Sequence, residues 1–386
     1  MAAGQRRLGA LLNDPLLDAL VVLDATPAPR GREAAATRAL CDWCATQWPD
    51  IDWAVEDYSA DGANLVASCG PGPLLYSHLD TSLDGGPDDA LVTGRDDDPG
   101  PLRIDGNTVE GFGIGVARAP AAAALIAFVT TRRGTLLLAG SGTHRRGGRA
   151  AGVEFHLDHH RACAAAVIAK CGPPTILRGE PGAAYLSVVV TGQPGVALAP
   201  RSAVPAGGVV AHAGALLDAV RCWWAGVAER ALPPGQAGRE LGIGALRAGR
   251  LDKPDLLPAR LELDLYLVLA PGDDPHELGG SLRDRIELDG CAIAVGVDLV
   301  HAAAETSADA PIVRAAWAAW KAEFGVASDV GVWTGSTDGV VLRGRGIDTV
   351  RLGPQATRSA HDWRREVVDL DQLRGFVRVY GSLLSS

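Results

Sequence analysis

Strand-like and helix-like stretches alternate along the first 180 residues, and no other feature of the sequence restricts the fold as much. Apolar positions at helical spacing fill 9–25 and 33–48, either side of a Pro27-Ala28-Pro29-Arg30-Gly31 turn. Short strand runs follow at Asn64–Ala67, Leu74–Ser77 and Thr135–Ala139, and the Ala-rich stretch 117–130 predicts a buried helix between the last two. Strands alternating with helices predict an α/β layer structure around a mostly parallel sheet. From about Tyr185 the pattern changes. A strand at Leu186–Thr191 leads through a Gly/Pro-rich segment to a helical run over 210–230. Polar, Gly-rich residues 231–258 then precede a strictly alternating strand (Leu261, Leu263, Leu265, Leu267, Leu269). A helix near 275–288 and a strand at 291–301 close this unit, and helix–strand–helix signals at 309–325, 347–352 and 369–385 resume the first pattern. The reading is one α/β domain, 1–184 and 302–386, with a smaller α+β lid or dimerisation-type domain inserted at 185–301.

Composition removes several function classes. With 47% hydrophobic and 21% charged residues the chain can bury a sizeable core. A formal net charge of −10 and a pI near 5.4 argue against nucleic acid or an anionic membrane as partner. No apolar stretch runs for eighteen residues without a charge or a turn former, so no membrane span is expected. The N-terminal stretch is interrupted by Asn13, Asp14 and Asp18 and reads as an amphipathic helix, not a signal peptide. Seven cysteines, an odd number thinly spread, suit reduced thiols and a cytoplasmic protein.

The chemistry-bearing motifs come in a fixed order. Strand 74–77 ends in Ser77-His78-Leu79-Asp80-Thr81, and a His and an Asp two apart on a strand point the same way, so one can bind a metal while the other orients it. Then follow Asp105-Gly106, Gly111-Phe112-Gly113, Gly179-Glu180-Pro181, Gly335-Ser336-Thr337-Asp338-Gly339, Gly346-Ile347-Asp348-Thr349-Val350, Gly353-Pro354 and Ala360-His361. In that order and spacing, from about residue 16 to 382, the chain resembles the acetylornithine deacetylase / succinyl-diaminopimelate desuccinylase / carboxypeptidase G family of zinc metallopeptidases. The resemblance implies two zinc ions sharing a bridging Asp and a water, a Glu-Glu pair whose first member is the general base, and hydrolysis of a linear amide bond. It places His78 and Glu180 on the first zinc, His361 on the second, and Asp80 as the orienting acid. It also implies a homodimer through the inserted domain, and a Thr337-Asp338 turn that shapes the cleft floor.

The sequence departs from that pattern at its chemical centre. Val116 stands where the bridging Asp belongs. The Glu-Glu pair is replaced by His144-Arg145 or Arg145-Arg146, depending on register. The lid His becomes Val196, the usual Asn becomes Asp255 before Pro258, and the substrate-binding Arg becomes Val268 before Pro271. The first zinc keeps two of its three protein ligands and the second keeps one, so neither site is complete. An arginine there would repel a dication, since unit charges about 4 Å apart interact by roughly 4 kcal/mol at an effective dielectric near 20. It is better suited to pairing with Glu180 or Asp80, so the expectation is a salt-bridge network in place of the metals.

Three functional readings follow. One is a non-hydrolytic or repurposed relative that binds a small, amino-acid-like ligand or a partner in the old cleft. A second is a mono-zinc amidohydrolase of N-acyl amino acids or dipeptides, with zinc on His78, Glu180 and His361 and with His144 as the available base. The third is a metal-free biosynthetic enzyme whose Arg145-Arg146 pair clamps an acidic substrate. His156 and His160, at i and i+4 in Glu154–His160, share a helix face, and a solvated surface is the expectation there. Cys41 and Cys44 are expected in the core, and Trp223-Trp224 in packing or an interface.

Overall fold

The computed structural model describes residues 14–142, 150–160, 163–197, 207–232 and 238–386, with the backbone alone at 299 and 300. A nine-stranded sheet forms its centre. Its order runs Trp53–Asp57, Ala63–Ser68, Thr135–Ala139, Leu74–His78, Ala165–Ala169, Asp348–Leu352, Thr175–Glu180, Ala304–Glu305, with Asp329–Val332 also paired to Thr175–Glu180. Strand 74–78 pairs in parallel with both neighbours, and 348–352 runs parallel to 165–169. The two outermost strands at the Trp53 edge are antiparallel. This is the expected mostly parallel sheet.

Its central strands are apolar on both faces because both faces are covered. Alternate residues serve different cores. Leu75, Leu136, Leu138, Val167, Val350 and Leu352 face the larger one, under helices Ala119–Thr131 and Leu370–Leu384. Tyr76, Leu137, Ala166 and Ile168 face a smaller core under helices Ala151–His159 and Gly339–Gly344. Helix 370–384 begins with Asp369 capping the Gln372 N–H and buries Leu373, Phe376, Tyr380 and Leu383 at helical spacing. The run Ile114–Thr131 is apolar and long enough to cross a membrane by composition, yet 78% of it is buried in this core. Cys44 is wholly buried there as well, and burial pushes its thiol up.

The segment from Gly182 to His301 builds a separate antiparallel sheet, in the order Glu240–Ala248, Arg260–Leu269, Gly182–Thr191, Ala292–His301. Its alternating leucines pack against helices Ala213–Ala228 and Pro275–Arg285. Trp223 is packing: it is buried and its indole N–H donates to the Ser281 hydroxyl at 2.9 Å. Strand Glu240–Ala248 lies inside the stretch that composition marks as polar and irregular; it is an edge strand with little buried side, so its periodicity is faint. A third sheet joins 356–358, 365–369, 108–112 and 103–105, and its short strands leave no period to read.

Candidate functional site

The carboxyl ends of the parallel strands gather the site, as open α/β sheets do. His78 ends strand 74–78 and is buried, with its Nδ1 3.0 Å from the Asp80 carbonyl oxygen and 3.3 Å from Asp80 Oδ1. Asp80 in turn accepts the Gly142 N–H at 2.6 Å. The His and Asp of the H-x-D spacing are therefore in contact. The other ring nitrogen, His78 Nε2, is buried without a hydrogen-bond partner among the described residues.

Beside it lies a cluster of buried charges. Asp338, just before helix 339–344, accepts a hydrogen bond from the Tyr76 hydroxyl, and Lys170 Nζ stands 3.5 Å from its other oxygen. Burial, together with the Asp338 charge, pushes the Tyr76 hydroxyl well up. Glu180 is 0% exposed at its side chain and faces Arg343 at 3.6 Å and Arg351 at 3.7 Å, distances of ion pairs rather than hydrogen bonds. Burial lowers both guanidinium pKa values, with the Glu180 charge opposing the shift. Arg343 also donates to the Thr349 carbonyl and Arg351 to the Cys171 carbonyl, and the Arg351 guanidinium lies 4.3 Å from the Trp333 ring centroid. Packing is so close that a methyl group on Gly339 would lie 2.8 Å from a Glu180 oxygen and 2.9 Å from Arg343 Nη1.

A salt-bridge network is present, but its described cations are Lys170, Arg343 and Arg351. Arg145, Arg146 and His144 lie outside the described residues. The sequence holds a signal for the cations that reading by motif missed. Arg351 interrupts the buried part of strand Asp348–Leu352 and Lys170 is one of three lysines, directly at the end of strand 165–169. A charge inside a buried strand demands a buried partner.

His361 is not brought to this cluster. It is exposed, with its backbone N–H on the Ser359 hydroxyl at 3.3 Å, and His78, Glu180 and His361 form no group close enough to share an ion. Val116 lines the cleft, and its N–H, with that of Gly115, is taken by the Glu366 carboxylate. Thr337 also lines the cleft, while Asp338 lies buried beneath it. Among the described residues one His/Cys/Asp/Glu group is compact enough for a metal, and it lies elsewhere: Glu56, His156 and His160. The solvated face expected for these histidines holds for the half-exposed His160 but is corrected for His156, which is buried against Glu56, a partner distant in sequence.

Above the network opens a cleft of about 920 Å³. Its floor includes Lys170, Arg351 and Trp333, and the inserted segment supplies Tyr185 and Tyr266, which are register partners with ring centroids 5.1 Å apart. Burial, with Tyr185 beside it, pushes the Tyr266 hydroxyl up to about 12, so it remains a donor at neutral pH.

No protein-family model matches the sequence, and no curated protein does. Solved structures do. The chain superposes on the di-peptidase Dug1p of Saccharomyces cerevisiae with a TM-score of 0.68 and 13% identity, covering 96% of this chain and 95% of that one. The M20 family metallo-carboxypeptidase Sso-CP2 of Sulfolobus solfataricus gives 0.67 and 16%, covering 96% and 98%. The YXEP protein of Bacillus subtilis, a dinuclear metal-binding peptidase of the M20 family, gives 0.60 and 14%, covering 96% of each. The chain therefore has the fold of the M20 metallopeptidases, over nearly its whole length.

The two zinc ions that this fold implies do not fit the residues described. Glu180 is already paired with two buried guanidinium groups, Val116 offers no donor, and His361 is exposed and forms no close donor group with His78 and Glu180. A dication near Arg343 would meet roughly twice the ~4 kcal/mol repulsion of two unit charges at such range.

Proposed function

We propose that this chain is a repurposed, non-hydrolytic relative of the M20 peptidases that binds a small amino-acid-like ligand in the cleft. The observation that carries the reading is Glu180 held between Arg343 and Arg351, at the position where the resemblance puts a zinc ligand. The cleft supports the ligand class. Lys170 and Arg351 place positive charge on its floor for a carboxylate, and Tyr185, Tyr266 and Trp333 give flat apolar surface for a side chain or acyl group. The cations are bound into the network beneath, so the ligand's carboxylate would meet a preformed, partly compensated field and not a bare charge.

One observation favours the mono-zinc amidohydrolase instead. His78 Nε2 is buried, faces no described partner, and has its other nitrogen oriented by Asp80, which is how a ligating histidine is prepared. One assay separates the two. Zinc-supplemented protein is incubated with N-acyl amino acids and dipeptides, and their effect on its thermal midpoint is measured in parallel. Binding shifts without turnover above a no-enzyme control are expected. Turnover that falls on His78→Ala would establish the hydrolase and overturn the reading.

A further inference from the structure

The M20-type cleft is not where this chain best meets the needs of a metal. Glu56 lies on the edge strand Trp53–Asp57, three strands away from that of His78, and meets His156 of helix Ala151–His159. His156 and His160, one turn apart at the end of that helix, present the same face to the strand. Their rings stack with centroids 4.4 Å apart. His156 Nδ1 is 3.1 and 3.2 Å from the two Glu56 oxygens, and His160 Nε2 is 2.6 Å from Oε1.

We propose that Glu56, His156 and His160 form a zinc site. Two imidazoles and a carboxylate are a zinc donor set that leaves a fourth position open. Tetrahedral zinc, with bonds near 2.0–2.1 Å, sets its donors roughly 3.3 Å apart. The His156 contacts already have that spacing. The His160 contact must open by about 0.7 Å on that standard, and its ring is half exposed and able to move. The carboxylate is braced from behind. Buried Asn64 donates to Glu56 at 3.2 Å and to the Gly152 carbonyl at 2.9 Å, while its oxygen accepts the Gly140 N–H. Ligating carboxylates receive outer hydrogen bonds of this kind. A cleft of about 370 Å³, lined by both histidines and by Ser68, Thr135 and Cys163, gives the open position room for water or a further ligand. Bound zinc would fasten helix 151–159 to the sheet edge. The site shares no residue with the cleft network, so it stands or falls independently of the function proposed above.

The test is a zinc titration of metal-free, full-length protein against a chromophoric chelator, repeated with cobalt(II) for the visible band of a four-coordinate centre. Wild type is expected to take up about one zinc per chain and to gain thermal stability with it. His160→Gln, at a half-exposed position that does not threaten folding, and Glu56→Gln are expected to weaken binding by more than the ~10–100-fold typical of an outer-shell loss. His78→Ala is expected to leave it unchanged. Absence of tight zinc binding by folded wild type, or uptake by His160→Gln equal in amount and affinity to that of wild type, would each overturn the proposal.

Discussion

Glu180 is the residue on which two incompatible chemistries compete. A carboxylate can pair with two guanidinium groups or complete a zinc site, and the Glu180 side chain is wholly buried between them. Removing one member of a buried ion network leaves the others uncompensated, which costs about 3–5 kcal/mol. Glu180→Ala is therefore expected to lower the unfolding free energy by about that amount in chelator-treated protein, as measured by urea titration. A zinc ligand whose metal has been stripped would give a small change or a gain. His78, Asp80 and Glu180 stand out in the sequence because a two-residue spacing on a strand and a conspicuous Gly-Glu-Pro punctuate the chain. Arg343 does not stand out, because nothing local tells an arginine that pairs inward from one that reaches solvent, whereas Arg351 is marked by its place inside an otherwise buried strand.

Elements were legible where a period ran long enough. The alternating leucines of 261–269 and the helical stripe of 370–384 predict their own environments, whereas the three-residue strands 103–105 and 356–358 carry no period at all. That small sheet is pinned by charge instead. Arg365 on strand 365–369 donates to Glu110 on strand 108–112 at 2.9 Å and to the carbonyls of Pro99, Gly100 and Pro101. Burial would raise the Glu110 carboxyl, but the Arg365 and Ser359 hydrogen bonds and the Arg365 charge hold it below the usual range. A depressed folded pKa contributes stability that is present above the unfolded value near 4.3 and is lost as pH falls through the folded one. Wild type should thus exceed Glu110→Gln by about 0.5–1 kcal/mol at pH 7, and urea midpoints should converge as the pH is lowered below ~4. A gap that persisted in acid would assign the effect to packing.

At the scale of the whole molecule, the α/β architecture and its insertion follow from the order of strand and helix signals, and the shared fold with Dug1p and Sso-CP2 extends over 96% of the chain at 13–16% identity. What such a likeness carries is the scaffold: function belongs to the residues placed on it. Here the scaffold brings strand ends, helix 339–344 and the inserted sheet around one cleft, while the most metal-like donors sit at the far sheet edge, where Glu56 and His156 meet across a long sequence separation. The most direct measurement is elemental zinc analysis of the His160→Gln protein, saturated with zinc and desalted, beside the same protein carrying His78→Ala. An ion-pair network in place of the peptidase metals predicts substoichiometric zinc in both. Stoichiometric zinc in the first that disappears in the second would contradict it.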